Sequence, residues 1–539
     1  MKTLIRLILP VWAAMAARGN EGPRLDRAAL LEAADWLWPA LADDSNAWAR
    51  GDAVGAAVAL ARHLRTRTVP RWPQDPAAVG RAPGASTSRA RAAMRHRMES
   101  IGIPWEFGER IDWAFNPTTQ PDSKWPRNHE WTWQLNRHAE WTALAQAFYD
   151  TGDEAYAQKL AEQIRSWIHD CPVPVERPDN GPSSRWRTIE AGIRAGSVWP
   201  NVWSRILASR SFDDDTLLLW LASWVEHAQY LMKFKTGGNW LTMEANGLYH
   251  VGALFPEFRK ADAWRRTALE RLTAELGIQV YPDGVQFELA PGYHWVSLMN
   301  FLGPVRLSKR TPFAPPPAHL ARLERMFDYF VACMQPDRRM PPFNDSGAND
   351  VRRPLAEAAE WFPNRADFRS VASNGRDGVP PPSPFRVLPW AGQVFFRSSW
   401  DTNATWLAFD AGPFAYGHQH EDKLNVILSA HGRPLLIEGG NYTYDASQWR
   451  RHVLSSRAHN VVLVDGQELN RRKSSKETWV VREAVPLRWG TNETADWAEA
   501  AYDEGWGRDA RRLARHTRQV VFVKPNLFVA IDRLELPDG

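Results

Sequence analysis

HAEWTALAQAFYDTGDEAYAQKLAEQIRSWI occupies residues 138–168, and the architecture of the whole N-terminal part turns on it. Apolar side chains recur at spacings of three and four on both sides of Thr151-Gly152-Asp153, which predicts two amphipathic helices around a tight stop. Gly152 suits the left-handed residue that ends a helix, and Asp153 suits the cap that opens the next. The same periodicity returns in DDDTLLLWLASWVEHAQYLMKF (213–234), ADAWRRTALERLTAELGIQV (261–280) and PPAHLARLERMFDYFVACM (316–334). Strong strand patterns are missing between about residues 25 and 375. Successive antiparallel helix pairs of this length build either a solenoid or a closed toroid.

Beyond the Pro-rich linker GVPPPSPFRVLP (378–389) the texture changes. QVFFRSSW, ATWLAFDAG, LNVILSAHGRPLLIEGG, HNVVLVDGQEL and RQVVFVKPNLFVAIDRLEL alternate by two between Gly, Asn, Asp and Pro turns. The expected chain is therefore multidomain α + β, all-helical over 25–375 and an antiparallel β-sandwich over 386–539. LELPDG brings no closing element, so the sandwich is expected to continue beyond residue 539.

The bulk numbers exclude more than they select. With 539 residues and 44% hydrophobic composition the chain can bury large cores. Its 66 Lys and Arg are interleaved with 62 Asp and Glu, giving a net charge of only +4. No nucleic-acid partner is expected from that pattern, whereas a weakly basic surface facing an acidic polymer fits it. The 29 Trp divide between helix packing and stacking on the apolar faces of sugars. Lys2, Arg6, the apolar run Leu7 to Ala17 and Ala14-Met15-Ala16 read as a secretory signal over 1–16. A periplasmic or secreted protein is expected. Nothing else approaches the roughly 18 apolar residues of a membrane span. Cys171 and Cys333 leave one bridge or two free thiols open.

Unusual residues gather in GGNWLTMEANG (237–247), YPDGVQFELAPGYHW (281–295), FNDSGAND (343–350) and GHQHEDKLN (417–425). Read as a strand that runs on through residue 428, the last places His418, His420, Asp422, Leu424, Val426 and Leu428 on one face. Two imidazoles and a carboxylate on one face point to a metal site, a proton-transfer site, or both. Arg137 and His138 in QLNRHAEW, with Trp240, are candidate contacts for an acidic sugar. Glu244 and Glu288 follow two of the loops and are expected to orient their neighbours, not to move protons.

Taken together, GGNWLTMEANGLYHVGALFPEF (237–258), DGVQFELAPGYH (283–294), GHQHEDKLN (417–425) and SSRAHNVVLVDG (455–466) resemble the heparinase II/III-type polysaccharide lyases in order and spacing. The resemblance implies an incomplete α/α toroid followed by a β-sandwich, with the active site in the cleft between them. It implies β-elimination on an acidic polysaccharide, heparan sulfate first and other uronate polymers after it. Asn239 takes the position that offsets the substrate carboxylate. Tyr293 takes that of the proton donor to the leaving oxygen and, given neighbouring positive charge, of a base; His418 takes that of the base on one face of the ring. His420, Glu438 and His459 take the positions of metal ligands, an N₂O set that suits a structural zinc ion. No organic cofactor is implied.

Two points depart from that pattern. The family usually carries Asp where this chain has Glu438. A two-residue turn at His431-Gly432 would also set Glu438 opposite Asn425, several residues from His420. Either the turn is not that simple or Glu438 is not a ligand. Three other functions compete with this one. A metallo-β-lactamase-type hydrolase fits His-x-His-x-Asp but not Lys423 in the next place, nor a setting without alternating α and β segments. A glycoside hydrolase on a helical toroid would use Asp283, Glu288 or Asp345, and would leave Tyr293 and His418 without a task. A non-catalytic sugar-binding protein suits the Trp content alone. No motif reports the oligomeric state.

Overall fold

A computed structural model describes residues 25–38, 41, 45–414, 416–469 and 480–537. The signal reading over 1–16 lies outside them. The hairpin expected at 138–168 forms as two helices, Ala139–Thr151 and Glu154–Asp170. Gly152 closes the first at φ 75°, and the Asp153 side chain accepts from the Ala155 N–H to open the second. The other periodic stretches become helices Asp214–Lys233, Ala261–Gln279 and Pro317–Cys333. An incomplete α/α toroid followed by an antiparallel β-sandwich is the fold class of the chain.

The chain divides into two compact units that do not follow the helix-to-strand change. One runs to Ala274 and takes in Asn300–Pro316; the other comprises Glu275–Met299 and Pro317–Gly539. In the first, Trp131, Trp141, Trp167, Trp199, Trp203, Trp220 and Trp224 are fully buried, so most of its indoles are core, and truncating any one is worth about 3–5 kcal/mol. Helices Thr188–Ile193 and Gly238–Leu254 cross there in backbone contact. A Cβ on Gly192 would lie 2.5 Å from the Met243 carbonyl oxygen, and one on Gly247 would lie 2.5 Å from that of Gly192. Only glycines allow that approach, and it fixes the helix that carries Asn239.

A short hairpin, β1 (Arg97–Ser100) with β2 (Ile103–Glu106), interrupts the helical region where no strand was expected. Its turn uses Ile101 at φ 50° before Gly102, and a β-branched residue there gives no turn signal in sequence.

In the second unit, β3 (Arg386–Leu388), β4 (Gln393–Arg397), β5 (Trp406–Asp410), β6 (Asn425–Ala430) and β7 (Arg433–Leu436) form a five-stranded antiparallel sheet in chain order. A second sheet joins β8 (Arg488–Thr491), β9 (Ala495–Tyr502), β10 (Arg515–Val523) and β11 (Leu527–Glu535). Val394, Phe396, Leu407, Phe409 and Val426 from the first sheet share one apolar core with Ala498, Ala500, Val520 and Phe522 from the second. The first sheet is buried on its other face too. There the Tyr329 hydroxyl donates to Gln393 Oε1 at 3.0 Å, and Arg397 donates to the Ala332 and Met334 carbonyls at 2.9 and 3.0 Å. Helix Pro317–Cys333 therefore belongs with the sandwich.

Two strand readings change, and one strand lies in a stretch with no strand signal. Residues 417–424 are not strand: His418 (φ 52°) and Leu424 (φ 66°) break the extended backbone, and β6 begins at Asn425. HNVVLVDG does not join a sheet ladder; Asn460 ties it down instead, its amide donating to the Val426 and Ile437 carbonyls, both at 2.9 Å. ADWAEAAY, whose Ala and Glu favour helix, is strand β9 with strictly alternating burial.

Candidate active site

The loop at 343–350 organises the site in the second unit. Asn344 sits at φ 55°; its side-chain oxygen accepts from the His420 N–H at 2.8 Å and its amide donates to the Leu289 carbonyl at 3.3 Å. The Asp345 N–H donates to the His418 carbonyl at 3.0 Å, and Ser346 Oγ accepts from the Gly292 N–H at 2.9 Å. One short loop thus holds the strand approach carrying both histidines and the start of helix Pro291–Phe301 carrying Tyr293. Gly440 passes this loop at φ 61°, where a Cβ would lie 2.5 Å from the Ser346 carbonyl oxygen.

Tyr293 and His418 meet. Their rings stack with centroids 3.5 Å apart and planes 13° apart. His418 Nδ1 pairs with Glu288, whose side chain is only 3% exposed while that of His418 is 25% exposed. A buried carboxylate on Nδ1 fixes the ring's tautomer and leaves Nε2 as the available base. Glu288 is thus the orienting residue expected. The Tyr293 hydroxyl lies 2.6 Å from that of Tyr444. Arg450 sits 4.9 Å over the Tyr444 ring and binds both oxygens of Asp345, at 2.5 and 2.8 Å. Tyr444 and Arg450 were not singled out from sequence; NYTYDASQWRR carries no spacing that would reveal them.

The three carboxylates of the hydrolase reading are all committed elsewhere. Glu288 holds His418. Asp345 is shared by Arg450 and by His420 Nε2 at 3.0 Å. Burial alone would raise the Asp345 carboxyl, but the hydrogen bonds and charges of His420 and Arg450 hold it below the usual range. Asp283 accepts from the Trp390 and Ala391 N–H groups at 2.8 and 3.0 Å, while its burial pushes its pKa up.

His420, Glu438 and His459 also come together, each offering a ligand atom within 4.8 Å of the others. His459 Nδ1 lies 2.9 Å from the Glu438 carboxylate. His420 Nδ1 and His459 Nε2 are buried with no hydrogen-bond partner. Orphaned imidazole nitrogens beside a carboxylate fit a divalent metal ion. The hairpin question resolves unexpectedly. The turn is the simple one, Ala430 pairing with Arg433, but a bulge between Leu428 and Ser429 shifts the register beyond it, Leu428 pairing with Leu436, and the Asn425 amide reaches Glu438 at 2.6 Å. His420 reaches it as well because residues 417–424 fold back instead of extending the strand.

Asn239, Arg137, His138 and Trp240 belong to the first unit. Asn239 is 5% exposed in the first turn of helix Gly238–Leu254, whose N-cap is Gly237, so Asn239 is not the capping residue. Glu244 braces the entry to that helix, accepting from the Thr236 N–H at 2.9 Å and hydroxyl at 2.7 Å. Arg137 pairs with Glu190 at 2.9 Å and Glu130 at 3.3 Å and keeps 26% of its side chain exposed. Glu190 also binds Arg187, which lies 3.6 Å from the Trp133 ring centroid and 4.7 Å from that of Trp240. His138 is corrected: at 1% exposure it stacks 3.6 Å from Trp141 and accepts from Trp199 Nε1 at 3.0 Å. Burial, with Arg194 and His227 nearby, pushes it well below the ordinary imidazole range, so it is a neutral core residue. Cys171 and Cys333 are free and buried.

The chain matches two family models, heparinase II/III N-terminus over residues 30–370 and heparinase II/III-like, C-terminal over 380–539. It is 28% identical over 513 residues to a heparin-sulfate lyase of Pedobacter heparinus, covering 91% of this chain and 73% of that one. It is 27% identical over 458 residues to one of Bacteroides stercoris, covering 80% of this chain and 64% of that relative, less than two thirds of its length. A solved heparinase III superposes with a TM-score of 0.80 at 21% identity, over 94% of this chain and 79% of the other, a likeness of fold. With the two models matched over residues 30–370 and 380–539, the chain belongs to the heparinase II/III family.

Proposed function

We propose that this chain is a polysaccharide lyase that cleaves a uronate-containing polysaccharide, heparan sulfate first, by β-elimination. The observation that carries the reading is the stacked pair of Tyr293 and His418, an acid and a base within one ring's reach, with Glu288 fixing the imidazole. Family membership and relatives named heparin-sulfate lyase support the substrate class.

The chemistry sets three tasks. The C5 proton of a uronate is weakly acidic while its carboxylate carries full charge, so that charge must be offset. A base must take the C5 proton, and an acid must protonate the oxygen leaving C4. His418 Nε2 takes the proton, the electron pair forms the C4–C5 double bond, and the C4–O bond breaks. Tyr293 gives its hydroxyl proton to the departing oxygen. We assign the carboxylate to the Asn239 amide on its motif position, and assign substrate contacts to Arg137 and Trp240. His420, Glu438 and His459 would hold a metal ion, which we take to be zinc, and it would supply structural restraint there, while the proton transfers are assigned to His418 and Tyr293. The N-terminal run Leu7 to Ala17 supports export to the periplasm or beyond.

Product masses test the proposal. Elimination yields oligosaccharides of which one fragment is lighter by one water than its hydrolysis counterpart. Fragments carrying that water would instead indicate hydrolysis, and intact polymer that co-migrates with the protein would indicate binding alone.

A further inference from the structure

In NYTYDASQWRR (441–451) the Ser447 side chain caps helix Gln448–Leu454 by accepting from the Arg450 N–H at 3.1 Å. That cap aims Arg450 back over its own loop, where it clamps Asp345 and accompanies the Tyr444 ring. Tyr444 also packs edge-on to His418 at 6.3 Å between centroids, so its hydroxyl is fixed beside that of Tyr293. The groups facing this pair are His418 with Glu288 behind it on one side, and Arg450 with Asp345 on the other.

Two phenols 2.6 Å apart form one hydrogen bond, and one of them must donate. Tyr444 keeps 37% of its surface exposed, yet its partial burial, the Asp345 carboxylate and Tyr293 together raise it above the ordinary phenol range against the pull of Arg450. The Asp345 carboxylate on its side of the pair favours Tyr444 as the donor.

We propose that Tyr444 is a positioning residue for the elimination, its hydroxyl donating to the Tyr293 oxygen and stabilising the phenolate that Tyr293 becomes on protonating the leaving group. This rests on the role of Tyr293 given above. The proton balance is closed without Tyr444: the C5 proton goes to His418, the Tyr293 proton goes to the O4 oxygen, and the Tyr444 proton stays on Tyr444. The arrangement supplies what an isolated phenol with a pKa of about 10 lacks, a donor aimed at the charge as it develops.

Tyr444→Phe in the full chain tests it. The account expects kcat to fall about 10- to 100-fold with KM within about twofold. The alkaline limb of the kcat profile should move to higher pH, because Tyr293 loses a bond that favours its ionised form. An independent readout needs no substrate: ultraviolet titration of Tyr293, isolated by subtracting the Tyr293→Phe spectrum, should show it ionising at higher pH in Tyr444→Phe than in the wild type. Incorporating 3-fluorotyrosine at position 444, a stronger donor of almost the same shape, should lower it, which keeps the test decisive if Tyr444→Phe folds poorly. An unchanged or opposite shift in the titration overturns the role of Tyr444. A wild-type protein that yields no unsaturated product overturns the lyase reading instead, and the titration still decides this one.

Discussion

The proposed acid and base, Tyr293 and His418, differ in environment. The phenol is stacked on the imidazole, and the imidazole is held from behind by a carboxylate that is almost wholly buried. Tyr293→Phe removes only the hydroxyl, so turnover should fall at least about 100-fold while calorimetric affinity for the polysaccharide stays within a few fold. Retained turnover would dismiss Tyr293 as the acid. Glu288→Ala should reduce kcat by about 10²- to 10⁴-fold through loss of the tautomer lock, with a smaller change in KM. At this scale the sequence was a partial guide. Tyr293 and His418, which the structure stacks, and His420, Glu438 and His459, which it clusters, each lie in a compact motif. His138 was misread because a neighbouring Arg says nothing of where a side chain points. At φ 63° its backbone turns the ring into the indole core. Tyr444 and Arg450 were invisible because loop closure, not spacing, brings them to the site.

The loop 343–350 and the segment 417–424 act as one element, cross-braced through Asn344 and Asp345. Removing the Asp345 charge leaves Arg450 without its carboxylate, so Asp345→Asn should destabilise the protein by about 3 kcal/mol near neutral pH. The folded pKa of Asp345 lies below its unfolded value, so its contribution is present above about pH 4 and is lost as pH falls through the folded value. Melting curves of wild type and variant should accordingly converge in acid; a constant gap would mean that the carboxylate charge is not what stabilises the loop. Chelation followed by return of zinc should lower and then restore the melting temperature through His420, Glu438 and His459. Equal melting with and without chelator would leave that triad as a plain hydrogen-bonded cluster. The helix hairpin was legible because its caps and period agree. The 417–424 segment was not, because its alternation of polar and apolar residues mimics a strand while two non-glycine residues adopt positive φ.

Across the whole molecule, the change from helical to alternating texture near residue 386 is where the sheets begin, yet compactness follows burial, not texture. Helix Pro317–Cys333 packs on the face of the five-stranded sheet that looks away from the second sheet, and residues 275–299, which carry Glu288 and Tyr293, fold with it. Periodicity reports what an element is; which neighbour covers it depends on partners far away in the chain. This division puts the proposed acid, base and orienting carboxylate in one unit and Asn239 in the other. Asn239→Ala should therefore impair turnover without altering the stacked Tyr293–His418 pair. The most direct test of elimination follows ultraviolet absorbance and reducing ends together while the protein acts on heparan sulfate. The account predicts that both rise in parallel, because every cut creates one conjugated C4–C5 double bond. Reducing ends that accumulate with no gain in absorbance would contradict it.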